Sequence, residues 1–487
     1  MKILNIIRKS ILAASAICCT SASMLFSSCD AYVDITPKGA LTIDSAYTYL
    51  ELIANPMRCY YPSSFAYLSD DLWAKESKII GYESISADGI NFTFNENADR
   101  TLLADNNLYE NMYSDILRCN LVISNIDKAP GSKETRDLAK AEARVIRAFN
   151  HFLAINTYAK AYDPSTAATD GGVCIMDHYT LEESPVKSTV AQVYDFIINE
   201  LETSVPLLQE KPLNIYHPNL AFGWALLSKA YLFHREWAKA EEAAQKSLAI
   251  NNKLADYNII EDNGGVARYR EFADDKNPEV LSYMWMGSGW TAEAATYYAY
   301  GVISPELISI FEPNDLRYSL FFRQSGTTIT NYYDMGSGAA IWTPATTTAR
   351  FTHMTVGMRT AETLLILAEA QARQDKLKEA TDNINLLRKN RIHGDYVIST
   401  PSSQMDLMHT IITERRKELL FGFHRFFDLK RFNLEPEYAK TITRTFPVVT
   451  KSIEPKTYTL RPNSPLYIIP FPRSATDKNP NLTQNNQ

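Results

Sequence analysis

The tightest constraint on the fold is a pair of small residues twelve positions apart that occurs twice. The first instance is Trp224-x2-Leu227-Ser228-x2-Tyr231, with Ala240 and Ala244 downstream. The second is Leu364-x2-Leu367-Ala368, then Ala380, within RTAETLLILAEAQARQDKLKEATDNINLLRKNR. The spacing is that of a tetratricopeptide unit, two antiparallel helices joined by a short turn. Small residues at Ser228 and Ala240, and again at Ala368 and Ala380, let the paired helices approach closely. Trp224 and Tyr231 are expected to fill the groove beside them, with Trp237 also in the core. One such unit cannot bury its apolar face alone, so units stack into a solenoid of at least ~3. Helix pairs are predicted near 107–162, 189–250, 359–391 and 405–432, about four in all.

The last pair carries the densest signal, IITERRKELLFGFHRFFDLKRF over 411–432. Met408, Ile412, Leu419 and Phe423 recur at helical spacing, which predicts a helix over 405–421 with one apolar face. Arg415 falls on that face, where an unpaired charge is costly, so it must find a carboxylate. Glu418, three residues on, and Asp428, across the turn, are the candidates. Five phenylalanines crowd the turn (Phe421, Phe423, Phe426, Phe427 and Phe432), and Gly422 suits a helix end there. We read Arg415, Glu418, Arg425 and Asp428 as a structural ion network locking two helices, rather than as an anion site.

RRKEL followed by F-G-F-H-R-F-F-D-L-K-R resembles the C-terminal hallmark of SusD/RagB lipoproteins, surface partners of TonB-dependent transporters in Bacteroidetes. Many members carry Glu-Gly after the first aromatic, where this chain has Gly422-Phe423. Other segments are similar to the family in the same order: AEARVIRAFNHFLAINTYAKAY, SPELISIFEPNDLRYSLFF, and a tail LYIIPFPRSATDKNPNLTQNNQ. The resemblance implies a single, mainly helical domain over 41–487, a TPR-like solenoid with a large loop-rich insertion and few short strands.

The N-terminus reads as a targeting segment. Lys2, Arg8 and Lys9 precede an apolar run over 11–26, and Leu25-Phe26-Ser27-Ser28-Cys29 resembles a bacterial lipobox. Residues 1–28 are thus expected to be a lipoprotein signal peptide and 29–40 a lipidated tether. Acyl chains on Cys29 would anchor the chain firmly at the outer membrane's outer face. Of the remaining cysteines, Cys59, Cys119 and Cys174 show no metal or disulfide spacing and are expected to be buried free thiols.

Further along, a helix is expected over 41–57 from a Thr42 or Asp44 cap, helices over 107–127 and 133–162 joined by Pro130-Gly131, and a helix over 189–208 behind Ser188. Two regions lack sustained helical period and read as loops, 58–101 and 261–350. Long ordered loops are uncommon unless they serve a purpose. They hold Trp73, Trp285, Trp290 and Trp342, four of the six tryptophans. The ligand-contacting residues are expected among Trp285, Trp290, Tyr297, Tyr298, Trp73, Tyr82 and Trp342. An aromatic ring offers a flat apolar face with, in Tyr and Trp, a polar tip, which suits stacking on sugars.

The chain has no HExxH, G-x-S-x-G, Walker or EF-hand pattern. Adjacent acids such as Asp70-Asp71 and Glu182-Glu183 read as solvated loop residues rather than a hydrolytic dyad. Asp163 and Asp170 flank a small-residue turn with room for calcium, though a solvated loop is the simpler reading. No enzyme, no metal and no cofactor beyond the covalent lipid on Cys29 are expected. A net charge of −7 argues against a nucleic-acid partner, which needs clustered Lys and Arg. The resemblance implies a lipoprotein that binds oligosaccharide and passes it to a SusC/RagA-like TonB-dependent transporter. The alternatives are a peptide-binding RagB-like uptake protein and a lipid-anchored glycan hydrolase.

Overall fold

Helical periodicity becomes a stack of helices laid down in sequence order. The computed structural model describes residues 43–54, 63–74, 86–103, 106–262, 277–282, 301–329, 339–344, 358–420, 423–446 and 454–485. Contacts separate Met1–Asp44 from a unit Ser45–Gln487, to which the helices and strands named here belong. The principal helices are α1 (Ala46–Ile53), α2 (Asn106–Asn125), α3 (Lys133–Tyr158), α4 (Val190–Ser204) and α5 (Leu220–Phe233). After them come α6 (Trp237–Ile250), α7 (Thr360–Ala372), α8 (Leu377–Lys389), α9 (Gln404–Glu418) and α10 (His424–Phe432). From α2 to α9 each packs on the next, and α6 meets α7 directly although the whole 261–350 region lies between them in sequence. The fold is mainly helical and TPR-like. No helix of the described residues is long and apolar enough to cross a membrane.

The two repeats coincide in detail. Ser228, Ala240, Ala368 and Ala380 are all fully buried. Their interhelix turns both pass through a left-handed residue that is not glycine, Arg235 at φ 68° and Asp375 at φ 58°. In both, the next backbone N–H reaches back to the first helix, Glu236 to Tyr231 O at 2.9 Å and Lys376 to Gln371 O at 3.0 Å. A left-handed conformation costs an L-residue roughly 1–2 kcal/mol, so packing of the helix pair must impose it twice. Within the first unit, Ser247 Oγ crosses from α6 to Ala221 O on α5 at 2.8 Å. Trp224 and Trp237 depart from the expected core role. Both are only partly buried, and each ring lies under a cation, Lys246 at 4.4 Å and Arg373 at 4.7 Å.

Local chemistry moves several predicted boundaries. α1 starts at Ser45, not at Thr42 or Asp44, because Ser45 and Thr48 form a reciprocal capping box. It ends at Ile53 rather than at residue 57. The turn between α2 and α3 passes close to α1: Gly131 has φ 145°, and a Cβ there would lie 2.7 Å from the Ala46 methyl. α3 stops at Tyr158, short of Tyr162. α4 is capped by Thr189 with Gln192, not by Ser188, and Pro206 falls in a separate 3-10 turn, Val205–Leu207. α9 ends at Glu418, where Leu419 leaves the helical region, so the predicted helix to 421 is too long.

The presumed loops contain regular structure. Region 58–101 holds short helices Ser63–Tyr67 and Ala87–Phe92, and its Phe65, Tyr67, Phe92 and Phe94 are buried. Strands are few and short: β1 (Leu72–Ala74), β2 (Gly171–Cys174), β3 (Lys187–Thr189), β4 (Gly301–Ile303), β5 (Phe322–Ile329), β6 (Ala339–Pro344), β7 (Ile442–Phe446) and β8 (Lys456–Leu460). They pair antiparallel as β1–β4, β2–β3, β5–β6 and β7–β8. Among its described residues, region 261–350 therefore supplies three strands and the short helices Pro305–Ser309 and Leu316–Phe321.

Close approach of α5 and α6 gives a direct test. Ala240→Leu adds methylenes where none fit, and overpacking typically costs about 1–3 kcal/mol. A lower Tm is expected, while an exposed change on the same helix, Lys239→Ala, leaves Tm nearly level by thermal melting.

Candidate functional site

The last turn of α9 puts five consecutive charged residues, Glu414, Arg415, Arg416, Lys417 and Glu418, into the interior, each at most 8 % exposed. Such a run cannot be buried on one face of a helix; it is buried because partners close on it from every side. Glu418 accepts from Arg391 at 2.9 Å and Arg359 at 3.1 Å, and faces Arg317 at 3.4 Å. Glu414 accepts from Arg388 at 2.6 Å, Arg317 at 2.8 Å and Lys417 at 2.8 Å. Lys417 also donates to Glu312 at 2.6 Å. Arg359 and Arg391 both reach Glu279, at 3.0 and 2.5 Å. Burial alone would raise the Glu418 carboxyl, but Arg391 and Arg359 outweigh it and hold the group down at about 2.

Arg415 takes Asp428 of α10 bidentately, at 3.0 and 3.1 Å, and Asp428 in turn accepts from Arg431 at 2.8 Å. Glu418, the nearer candidate in sequence, belongs to the separate cluster around Arg391. Arg425 does not meet Asp428 at all; it takes Asp70 bidentately, both bonds at 2.7 Å. Arg416 donates to Asp71 at 2.6 Å and to Asp70 O at 3.1 Å. Asp70 and Asp71 are therefore buried ion-pair partners, not solvated loop acids. Burial opposes ionisation of Asp70, yet Arg416 and Arg425 hold its carboxyl well below the usual range. Glu182 and Glu183 are exposed, and Glu183 meets His178 at 3.0 Å.

The consequence of this pairing is positional. Asp70 and Asp71 lie immediately before β1, whose Trp73 sits opposite Val302 in β4. Ser304 closes the same junction, its Oγ donating to Asp70 O at 2.7 Å and its N to Asp71 O at 2.9 Å. β4 also lies beside β6, in which Trp342 pairs with Gln324 of β5. The two loop regions that carry the tryptophans thus converge on β4, with the backbones of Trp73 and Trp342 on strands that both neighbour it. Tyr82, Trp285, Trp290, Tyr297 and Tyr298 lie outside the described residues, as do Cys29 and Cys59.

Further clamps on this region escaped the sequence reading. Arg444 of β7 is buried between the rings of Phe92 and Phe94, at 4.6 and 4.5 Å, and donates to the carbonyls of Tyr67, Phe92 and Ser69. Phe65 stacks on Phe426 of α10 at 4.6 Å. The surplus of phenylalanines in the α9–α10 turn was the one available signal that a distant aromatic would dock there. Asp163 accepts from Ser165, and Asp170 from Lys160 and Thr166. Among the described residues no group of three or more His, Cys, Asp or Glu side chains is placed to hold a metal. Cys119 and Cys174 are free and buried, and burial pushes their thiols up to about 12 and about 11.

Comparison with known proteins decides the family. A family model described as the SusD family matches residues 277–487, and a second, described as starch-binding associating with outer membrane, matches residues 63–232. The chain belongs to the SusD/RagB family. The SusD-like protein P2 of Formosa agariphila is 24% identical over 424 residues, covering 77% of this chain and 78% of the relative. A SusD superfamily protein from Bacteroides thetaiotaomicron has the same fold, with TM-score 0.70, 21% identity, and coverage of 90% of this chain and 98% of the other. A SusD-like carbohydrate binding protein from Bacteroides vulgatus aligns with TM-score 0.63 and 21% identity, covering 90% and 97%. The SusD/RagB hallmark turn is thus, in this chain, the buried hub from which the 63–74 segment is held.

The hub makes stability depend on pH with a definite sign. Glu418 and Glu362, the latter paired with Lys229, are held at about 2 against an ordinary 4.5. Carboxylates depressed on folding bind protons better when unfolded, so their contribution is present above the unfolded value and lost as pH falls. Tm is expected to hold through pH 5 and to fall steadily between about pH 4.5 and about pH 2. A calorimetric series that is flat across that window would contradict the assignment of these groups as ionised.

Proposed function

We propose that this SusD/RagB protein is a lipid-anchored surface protein that captures oligosaccharide and passes it, uncleaved, to a SusC/RagA-like TonB-dependent transporter. The observation that carries the reading is the convergence of the two tryptophan-bearing regions on β4, above a scaffold rigid enough to hold a binding surface in place. Carbohydrate as the ligand is supported by the starch-binding description of the matching family model and by the carbohydrate-binding relative from Bacteroides vulgatus. Sugars present apolar ring faces for stacking and hydroxyls for polar side chains, and the aromatic regions around Trp73, Trp285, Trp290 and Trp342 supply both kinds of group. The anchor is supported by the basic start, apolar run and small residues before Cys29.

Two experiments test the proposal. Aromatic stacking contributes about 0.5–1.5 kcal/mol per pair beyond burial. Trp285→Ala and Trp290→Ala are each expected to weaken oligosaccharide binding several-fold by calorimetry at unchanged Tm. Products appearing on the same glycan panel would instead support a hydrolase, and binding confined to peptides a RagB-like peptide carrier. For the anchor, Cys29→Ala is expected to move the protein from the membrane fraction to the soluble one; retention after washing would overturn lipid attachment at that residue.

A further inference from the structure

A separate cleft of about 290 Å³ opens between α9, α10 and the segment 437–440. Its apolar lining comes from buried Leu429 and Phe432 together with half-buried Ile412 and Tyr438. Tyr438 is held by the edges of neighbouring rings, Phe432 at 6.2 Å and His409 at 5.6 Å. The polar lining is unusual in how its valences are committed. Lys440 spends two of its three N–H donors, on Asp70 at 2.5 Å and on Glu306. Arg416 is engaged through all three of its nitrogens, to Asp71, Glu306 and Asp70 O. Arg425, its side chain nine-tenths buried, spends Nε and Nη2 on Asp70. Its Nη1 meets no acceptor among the described residues. Glu306, half exposed, takes Arg416 and Lys440 on Oε1 alone, which leaves Oε2 free.

We propose that this cleft binds a single neutral sugar ring, independently of the loop surface around β4. The ring's apolar face would lie on Leu429, Phe432 and Tyr438. One hydroxyl would accept from Arg425 Nη1, and another would donate to Glu306 Oε2. A hydroxyl is both donor and acceptor, so the hydroxyls of one ring can serve a free donor and a free acceptor in the same cleft. Net charge selects against an anion: Arg416, Arg425 and Lys440 are already paired with Asp70, Asp71 and Glu306, and exposed Glu437 adds a further carboxylate to the lining. It also disfavours a free amino acid, because the one guanidinium edge left for an α-carboxylate belongs to a group already neutralised by Asp70. At about 290 Å³ the cleft lies at the small end of the roughly 300–1,000 Å³ range of ligand sites, which fits one ring better than an extended chain. The ligand class is shared with the function proposed above; the residues are not.

The test is ligand-observed NMR on the full chain with free glucose, galactose, mannose and xylose, and with leucine and acetate as the competing classes. At least one monosaccharide is expected to show saturation transfer. Thr413→Trp and Glu437→Trp, which place an indole in the cleft from its rim, are each expected to reduce that signal at least tenfold. Glu437 is exposed, so its variant tests the site even where Thr413→Trp lowers Tm. The double variant Trp285→Ala/Trp290→Ala is expected to keep the monosaccharide signal while losing oligosaccharide affinity, which separates this site from the loop surface. Absence of any monosaccharide signal, persistence of the signal in both cleft variants, its loss in the loop double variant, or preferential binding of leucine or acetate would overturn the proposal.

Discussion

Everything near the C-terminal half of the fold depends on the charged last turn of α9. Taking an ion out of water costs several kcal/mol even after relaxation, and a pair recovers this only with good geometry and satisfied hydrogen bonds. Here the geometry is supplied by elements far apart in sequence: Glu279, the 312–317 segment, Arg359 ahead of α7, and Arg388 and Arg391 at the end of α8. None of them can shift by a helical turn without stranding a buried charge. Breaking one such pair typically costs about 3–5 kcal/mol, far more than replacing a contact on an apolar face. The network is thus less a source of stability than a specification of which residues must meet, and it pins the point where the long insertion leaves and rejoins the helix stack.

A second group of buried cations is held by backbone carbonyls. Arg100 donates to the carbonyls of Pro465, Leu466 and Ile468, Arg444 to those of Tyr67, Phe92 and Ser69, and Lys430 to those of Asn156 and Ala159. Lys430 therefore sits at the C-terminus of α3, where unpaired carbonyls and the helix dipole both favour a positive charge. That environment opposes burial, which on its own pulls the ammonium down to about 7. Each of these side chains satisfies carbonyls at a helix end or in irregular backbone that the interior would otherwise leave without partners.

How much of this was legible follows from range. The repeat was readable because the small residues that allow two helices to touch, Ser228 with Ala240 and Ala368 with Ala380, lie a dozen residues apart. Helix caps failed by one to three positions because Ser45, Thr189 and their neighbours offer several short polar side chains, and only packing chooses among them. That Arg415 needs a carboxylate follows from its place on an apolar face; that Asp428 supplies it, while Glu418 turns to Arg391, depends on residues no local window contains. Asp70 and Asp71 look solvated for the same reason. Their cation Arg416 is 345 positions away, and adjacent acids in an aromatic-rich segment carry no mark of it.

That long-range pairing explains how strands only three residues long are held in place. β1 and β4 are too short to be stable on their own, since an isolated two-stranded ribbon is marginal in water at best. What fixes β1 is the bidentate grip of Arg425 on Asp70, Arg416 on Asp71, the Arg444 bonds to Tyr67 and Ser69, and the stack of Phe65 on Phe426. What fixes β4 is Ser304, bonded to the same two aspartates. Under the function proposed above, a surface held this way would lose little freedom when a ligand docks, and preorganisation of that kind contributes affinity without adding contacts. The hallmark turn and the strands β1 and β4, which look unrelated along the chain, are in this sense one device: the buried ions set the position of the strands.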